Sequence, residues 1–398
     1  MMRKRLIIVT VSICLTLMWT LIPTYAQPAA PKTIKIGILI SFTGPDGMVG
    51  KPAKDGYEMA VEKINKDGGV FVKEYGKKIP LELSIMDMET NPEKAVARAE
   101  ALNQQNASIV CGTTLMSATS DIFEKNKLPA ITSLVTTVGL FERGFKYYFG
   151  ISKMNDGVVD AIFAAFTKIP KGQRPTKWAI WQEQTDWIAE LFDLARQKAP
   201  AQGITFVSDS KYPMVAQDMG PLILAAKKAG AEVIFSAPVP PDAITMLKQM
   251  KELDYNPKAI IMIRACDDPA WVKMTGPMGD YIIGAPDWHP ALNYPGVKEL
   301  NAAYKAKFGS DTHITSGNAY ASIQIAAAAI EKAGSLDRTK IRDAIAGIDM
   351  MTVYGPTKFN KGRRVYAPPV ATQWQKGIME MIWPDNMKTK AMIYPMPR

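Results

Sequence analysis

Apolar residues follow two rhythms along this chain. Short β-branched runs alternate with longer stretches in which apolar residues recur every three or four positions. Residues 33–40 form the first short run and predict a strand. Ala53, Tyr57, Ala60, Val61 and Ile64 then share one face of a helix predicted over 52–65, which Asp67-Gly68-Gly69 ends. Residues 81–88 read as the next strand. Asn91 and Pro92 open a helix to about residue 106, because Asn offers a side-chain acceptor and Pro lacks an N–H that would go unused. Strands are predicted at 108–111 and 130–133, around a short helix at 117–126.

The alternation resumes with strands near 177–181, 205–210, 233–236 and 258–263. Helices near 157–167, 186–198, 216–228 and 242–251 go with them. Regular strand–helix alternation predicts parallel sheets with helices on both faces. Two runs of it predict two α/β lobes. The last third differs: helices at 297–308, 316–332 and 337–346 have no strand between them. They are expected to cover an existing sheet. A strand at 351–354 and a Gly- and Pro-rich tail with Trp374 and Trp383 complete the chain.

The N-terminus adds a location. Arg3, Lys4 and Arg5 precede an apolar run over 6–22, which Pro23 breaks. Thr24-Tyr25-Ala26 offers small residues at a cleavage position, the order of a secretory signal peptide over 1–26. Cys14 follows Ile13 instead of a small residue, so lipidation is not expected. No later stretch is apolar for long enough to span a bilayer. The net charge is +10, from 48 Lys and Arg against 38 Asp and Glu. The bases are spread among acids and read as solvated helix faces, and export excludes nucleic acid as a partner. Past the leader only Cys111 and Cys266 remain, each at the end of an apolar run, so two buried free thiols are expected.

Motifs for chemistry are few. His289 and His313 are not at metal-ligand spacing, and no CxxC pair accompanies them. There is no GxSxG elbow, Walker loop or GxGxxG after the first strand. Asp267-Asp268 reads as a helix cap before Pro269. The expectation is a protein that is not an enzyme and has no cofactor or metal; the rival reading is an exported enzyme on this scaffold. Three polar loops stand out instead. Ser41-Phe42-Thr43-Gly44-Pro45 follows the first strand, 112–117 the third, and Ser133-Leu134-Val135-Thr136-Thr137 the fourth. Parallel sheets bind ligands beyond the carboxyl ends of their strands, so these loops are expected on one sheet edge around a ligand.

At these loops the chain resembles the Leu/Ile/Val-binding family of periplasmic solute receptors for ABC importers. The matching text is IKIGILISFTGPDGMVGKPAKDGYEMAVEKIN, LELSIMDMETNPEKAVARAEALNQQNASIVCGTT, SATSDIFEKNKLPAITSLVTT and TVYGPTKFNKG, in order over the mature chain. The resemblance implies the type I fold: two Rossmann-like α/β lobes with parallel sheets, joined by three hinge crossovers. It places an N-terminal lobe at 33–150 plus 285–354 and a C-terminal lobe at 151–284 plus 355–398. The crossovers would lie near 150–153, 284–288 and 355–359. By position, Phe42, Leu115, Met116, Leu134 and Thr136 of the first lobe would meet the ligand. Trp187, Val239 and Asp267 would meet it from the second. Trp181, Trp288 and His289 are further candidates for an apolar wall. Leu115 and Met116 stand where the family has small hydroxyl residues, and no residue matches clearly the acid that meets an amine; Asp267 is nearest. The resemblance implies a periplasmic monomer that closes around an amino acid or related carboxylate and delivers it to an inner-membrane permease. The departures leave an amine-free aromatic carboxylate or amide as the alternative.

Overall fold

The computed structural model describes residues 29–44, 46–112, 114–361, 363–365 and 370–397. The expected leader lies outside them. The first sheet has five parallel strands in the order Leu81–Asp87, Ile34–Ile40, Ile109–Gly112, Ala130–Thr132 and Tyr148–Gly150. Ile34–Ile40 is an interior strand, buried on both faces because both faces are covered. Ile36, Ile38 and Ile40 pack with helices Gly47–Lys66 and Ile314–Ala333. Leu39 packs on the other side with Leu102 of helix Pro92–Gln104. The strandless helices therefore do return to the first sheet, and Val297, Leu300 and Ile341 join its core. Their approach is close: a Cβ on Gly56 would lie 2.2 Å from the Ser316 carbonyl oxygen, a contact only glycine avoids.

The second sheet has seven strands, ordered Ile378–Trp383, Ala371–Gln375, Ile283–Gly284, Ala259–Met262, Val233–Ser236, Lys177–Glu183 and Thr205–Tyr212. Five are parallel, and the two from the tail are antiparallel. Helices Asn155–Phe166 and Asp186–Lys198 pack on one face, and helices Gly220–Lys228 and Pro240–Glu252 on the other. The tail is thus a hairpin, turned by Lys376 and Gly377 with φ of 53° and 78°.

The short helix expected at 117–126 is instead a 3-10 turn, Thr114–Thr119, followed by helix Ser120–Lys125. Thr119 and Ser120 donate their hydroxyls back to the Met116 and Ser117 carbonyls, which favours the tighter turn.

The chain passes between the sheets three times. The first passage runs from Gly150 to Asn155 and the second leaves Gly284. Trp288 is already in the first core, where its indole N–H donates to the Val353 carbonyl at 2.8 Å. The third passage falls later than the expected 355–359. Phe359, Val365 and Val370 still pack with the first core, Phe359 edge-on to Phe149, and Ala371 is the first residue in the second. The pull is hydrophobic: Phe359 gains an aromatic partner on the first sheet. Cys111 and Cys266 are buried free thiols. No helix among the described residues is long and apolar enough to cross a membrane.

Candidate functional site

Both sheets point the carboxyl ends of their strands at the gap between the lobes, where the loops enclose a cavity of about 360 Å³. The first lobe contributes Asp46, Thr114, Leu115, Leu134, Thr136 and Thr137, together with the start of helix Ile314–Ala333. The second contributes Asn155, Trp187, Val239, Arg264, Asp267 and Asp268, and the second passage adds Ala285 and Asp287.

Of the residues singled out in the sequence, Leu115, Leu134, Thr136, Trp187, Val239 and Asp267 line this cavity. Phe42 and Met116 are not among its lining residues. Phe42 is half-buried against the first core, its N–H held by Asp87 at 3.2 Å. Met116 is fully buried under Gly112, packed with Leu39 and Phe123. Trp181, Trp288 and His289 are also core residues. The His289 ring bridges the Met379 carbonyl and the Ala291 N–H.

The charges are arranged with care for burial. Arg264 has φ 78° and ψ −60°, a strained backbone for a non-glycine residue. That bend turns its guanidinium onto Glu183, 2.6 Å away and fully buried, and onto the Ala237 and Pro238 carbonyls. It also stacks 5.3 Å from the Trp187 ring. Asp267 accepts the Arg264 N–H at 3.3 Å, and Asp287 accepts from the Asn318 amide at 3.4 Å. Burial pushes the Asp267 carboxyl up to about 6, against the pull of Lys153; burial likewise pushes Asp287 up to about 7, against the same pull. Among the described residues the lining therefore carries four aspartates, Asp46, Asp267, Asp268 and Asp287, while its guanidinium, on Arg264, is already paired.

A second polar group closes the gap. Glu190, on helix Asp186–Lys198, accepts the N–H groups of Val138 and Gly139 in the first lobe at 3.0 and 3.2 Å. Asn155 donates its amide to Glu190 at 2.7 Å and to the Trp187 carbonyl at 3.0 Å, and its backbone N–H to the Thr136 carbonyl. Glu190 is a residue that sequence reasoning missed. The available signal was its position three residues after Trp187, which puts both on one helix face. These charge-assisted bonds span the lobes, so Glu190→Ala is expected to shift the ligand-free protein toward an open form and weaken ligand binding about tenfold. Small-angle scattering and calorimetry check this; an unchanged radius of gyration with unchanged affinity would reject it.

Two facing α/β lobes around a cavity that both line have the form of a binding protein. Residues 33–377 match the family described as "Periplasmic binding protein", and the chain belongs to that family. It is 26% identical to the Leu/Ile/Val-binding protein homolog 7 of Brucella suis biovar 1 (strain 1330), over 90% of this chain and 93% of that one. Among solved structures it resembles LivJ of Streptococcus pneumoniae in complex with isoleucine (TM-score 0.77, 19% identity, 89% of this chain and 100% of that one). It also resembles a solute-binding protein of R. palustris in complex with benzoate (TM-score 0.75, 15% identity, 88% and 95%). At these identities the structures bear on the fold alone.

Proposed function

We propose that this protein is a periplasmic receptor that captures a small amino-acid-like zwitterion in the interlobe cavity and passes it to an ABC importer permease. The observation that carries the reading is the pair Asp267 and Asp287. They are the two buried members of four aspartates that line a cavity whose guanidinium is paired, on a chain whose net charge is +10. A ligand ammonium compensates this excess of negative charge, and a lone carboxylate does not. The ligand's own carboxylate goes to the first-lobe loops, with Thr136 as hydroxyl donor beside Leu115 and Leu134. Trp187 and Val239 cover its apolar part, and the protein acts as a monomer. The bodies that close are 33–150 with 285–370, and 151–284 with 371–397, moved by ligand contacts made only in the closed state.

A second reading is an amine-free aromatic carboxylate. The Trp187–Arg264 stack offers a planar cationic wall that suits it, and the R. palustris protein is in complex with benzoate. A thermal-shift screen separates the two, since ligand at a hundred times its Kd stabilises by about 2.7 kcal/mol. Stabilisation by L-leucine, L-isoleucine or L-phenylalanine and not by benzoate is the expected result. Response to benzoate alone replaces the first reading with the second, and turnover of any ligand overturns both.

A further inference from the structure

Lys153 is the least expected residue of the hinge. It follows Gly150 on the first passage between lobes and is 2% exposed. A buried ammonium is costly unless its protons and charge are both matched. Its Nζ donates to the Ala285 and Pro286 carbonyls at 2.6 and 2.7 Å, on the second passage, and to the Val370 carbonyl at 3.4 Å, where the third begins. One ammonium therefore ties all three passages together. Its three protons are occupied by carbonyls, so its charge is answered through space, by Asp287 and Asp267. The Asp287 carboxylate also accepts the Lys153 backbone N–H. The same two carboxylates line the ligand cavity.

We propose that Lys153 is a positioning residue that joins the hinge to the ligand site: it pins the three passages and, as the shared counter-ion of Asp267 and Asp287, offsets part of the negative charge that the lining aspartates bring to the cavity. Without it, the three passages lose their common tie and the Asp267 and Asp287 carboxyls hold their protons to higher pH. The ligand class rests on the zwitterion reading above; the electrostatic role of Lys153 does not.

The test therefore begins without ligand. Carbon-13 NMR titration of the Asp267 and Asp287 carboxyls is compared in wild type, Lys153→Arg and Lys153→Met. Other groups act on the pair: the Arg264 N–H and Asp268 on Asp267, and Asn318 on Asp287, with the Tyr354 phenol close by. All of these are unchanged between the variants. Both midpoints are expected to rise by about one pH unit or more in the Met variant and to stay near wild type in the Arg variant. If Lys153→Met does not fold, the double variant Lys153→Met/Asp287→Asn, which removes one charge of each sign, is expected to fold. Midpoints unmoved in the Met variant, or a double variant as unfolded as the single one, would overturn the proposal. With ligand, L-leucine is expected to bind Lys153→Met at least tenfold more weakly, and Lys153→Arg within a few-fold of wild type. Equal affinity in all three also overturns it. Failure of wild type to bind any amine-bearing probe would overturn the ligand reading instead, and the titration still decides Lys153.

Discussion

Asp267→Asn is expected to cost the protein most of its affinity for an amine-bearing ligand such as L-leucine while making the ligand-free fold more stable at neutral pH. The two effects share one cause. The Asp267 side chain is only 6% exposed, and burial is the largest influence on its carboxyl, raised to about 6. A carboxyl raised in the fold above its unfolded value of about 3.9 contributes most stability when protonated and loses it as pH climbs from about 4 through the folded value. At pH 7 the wild type therefore carries an ionised group that the fold does not favour. Asn keeps the size and the acceptor for the Arg264 N–H and removes the charge. A ligand ammonium reverses the sign, since removing one partner of a desolvated charge pair costs about 2–5 kcal/mol, or roughly thirtyfold to several thousandfold in Kd. Titration calorimetry with L-leucine and urea unfolding at pH 7.5 measure both. An Asn variant that binds L-leucine as tightly as wild type would remove Asp267 from the site. One that loses stability would show that its charge serves the fold.

The regular part of this fold is legible in the chain, and the reason is periodicity. Strand Val233–Ser236 and helix Asp186–Lys198 were expected at the bounds observed, because each is bordered by Gly, Pro or a capping residue and packs on a continuous core. Strands Ala371–Gln375 and Ile378–Trp383 escaped because a Gly- and Pro-rich tail masks their alternation. The Lys376-Gly377 turn was the clue, since both residues must adopt positive φ. The cavity-facing loops were legible by a topological rule: loops at the carboxyl ends of parallel strands share an edge. Met116 shows its limit. The rule brings the loop to the cavity, but residue order alone does not say which side chain turns inward, and Met116 fills the space that Gly112 leaves. Lys153, Glu190 and Asp287 were invisible for a different reason. Each acts on partners 30 to more than 200 residues away in sequence, such as Asn155 at 35 and Val370 at 217. No local pattern of charges announces them.

His313 leads to an expected result on pH. It precedes helix Ile314–Ala333, one of the longest in the fold, and its ring Nδ1 accepts the Thr315 N–H at 3.2 Å. A nitrogen that accepts cannot carry a proton, so the cap requires neutral imidazole. Protonation would remove the acceptor and set a cation against the positive end of the helix dipole. Burial is the main cause of its pKa falling to about 4, against the opposite pull of Asp268 across the cavity. A histidine lowered in the fold below its unfolded value of about 6.5 contributes stability above that value and loses it as pH falls toward 4, on the order of 3 kcal/mol in all. His289 is also lowered to about 4 by burial and adds a loss of the same sign. Asp267, raised to about 6, works the other way over the same range, so the wild-type profile sums opposing slopes. His313→Asn isolates one of them, because Asn caps helices well and does not titrate. Unfolding free energies from urea titrations of the two ligand-free proteins are expected to agree within about 1 kcal/mol at pH 7. They should then separate in favour of the variant from pH 6.5 down to 4.5. Parallel profiles would mean that the ring is protonated in the fold and that something other than its Nδ1 holds the start of this helix at the edge of the cavity.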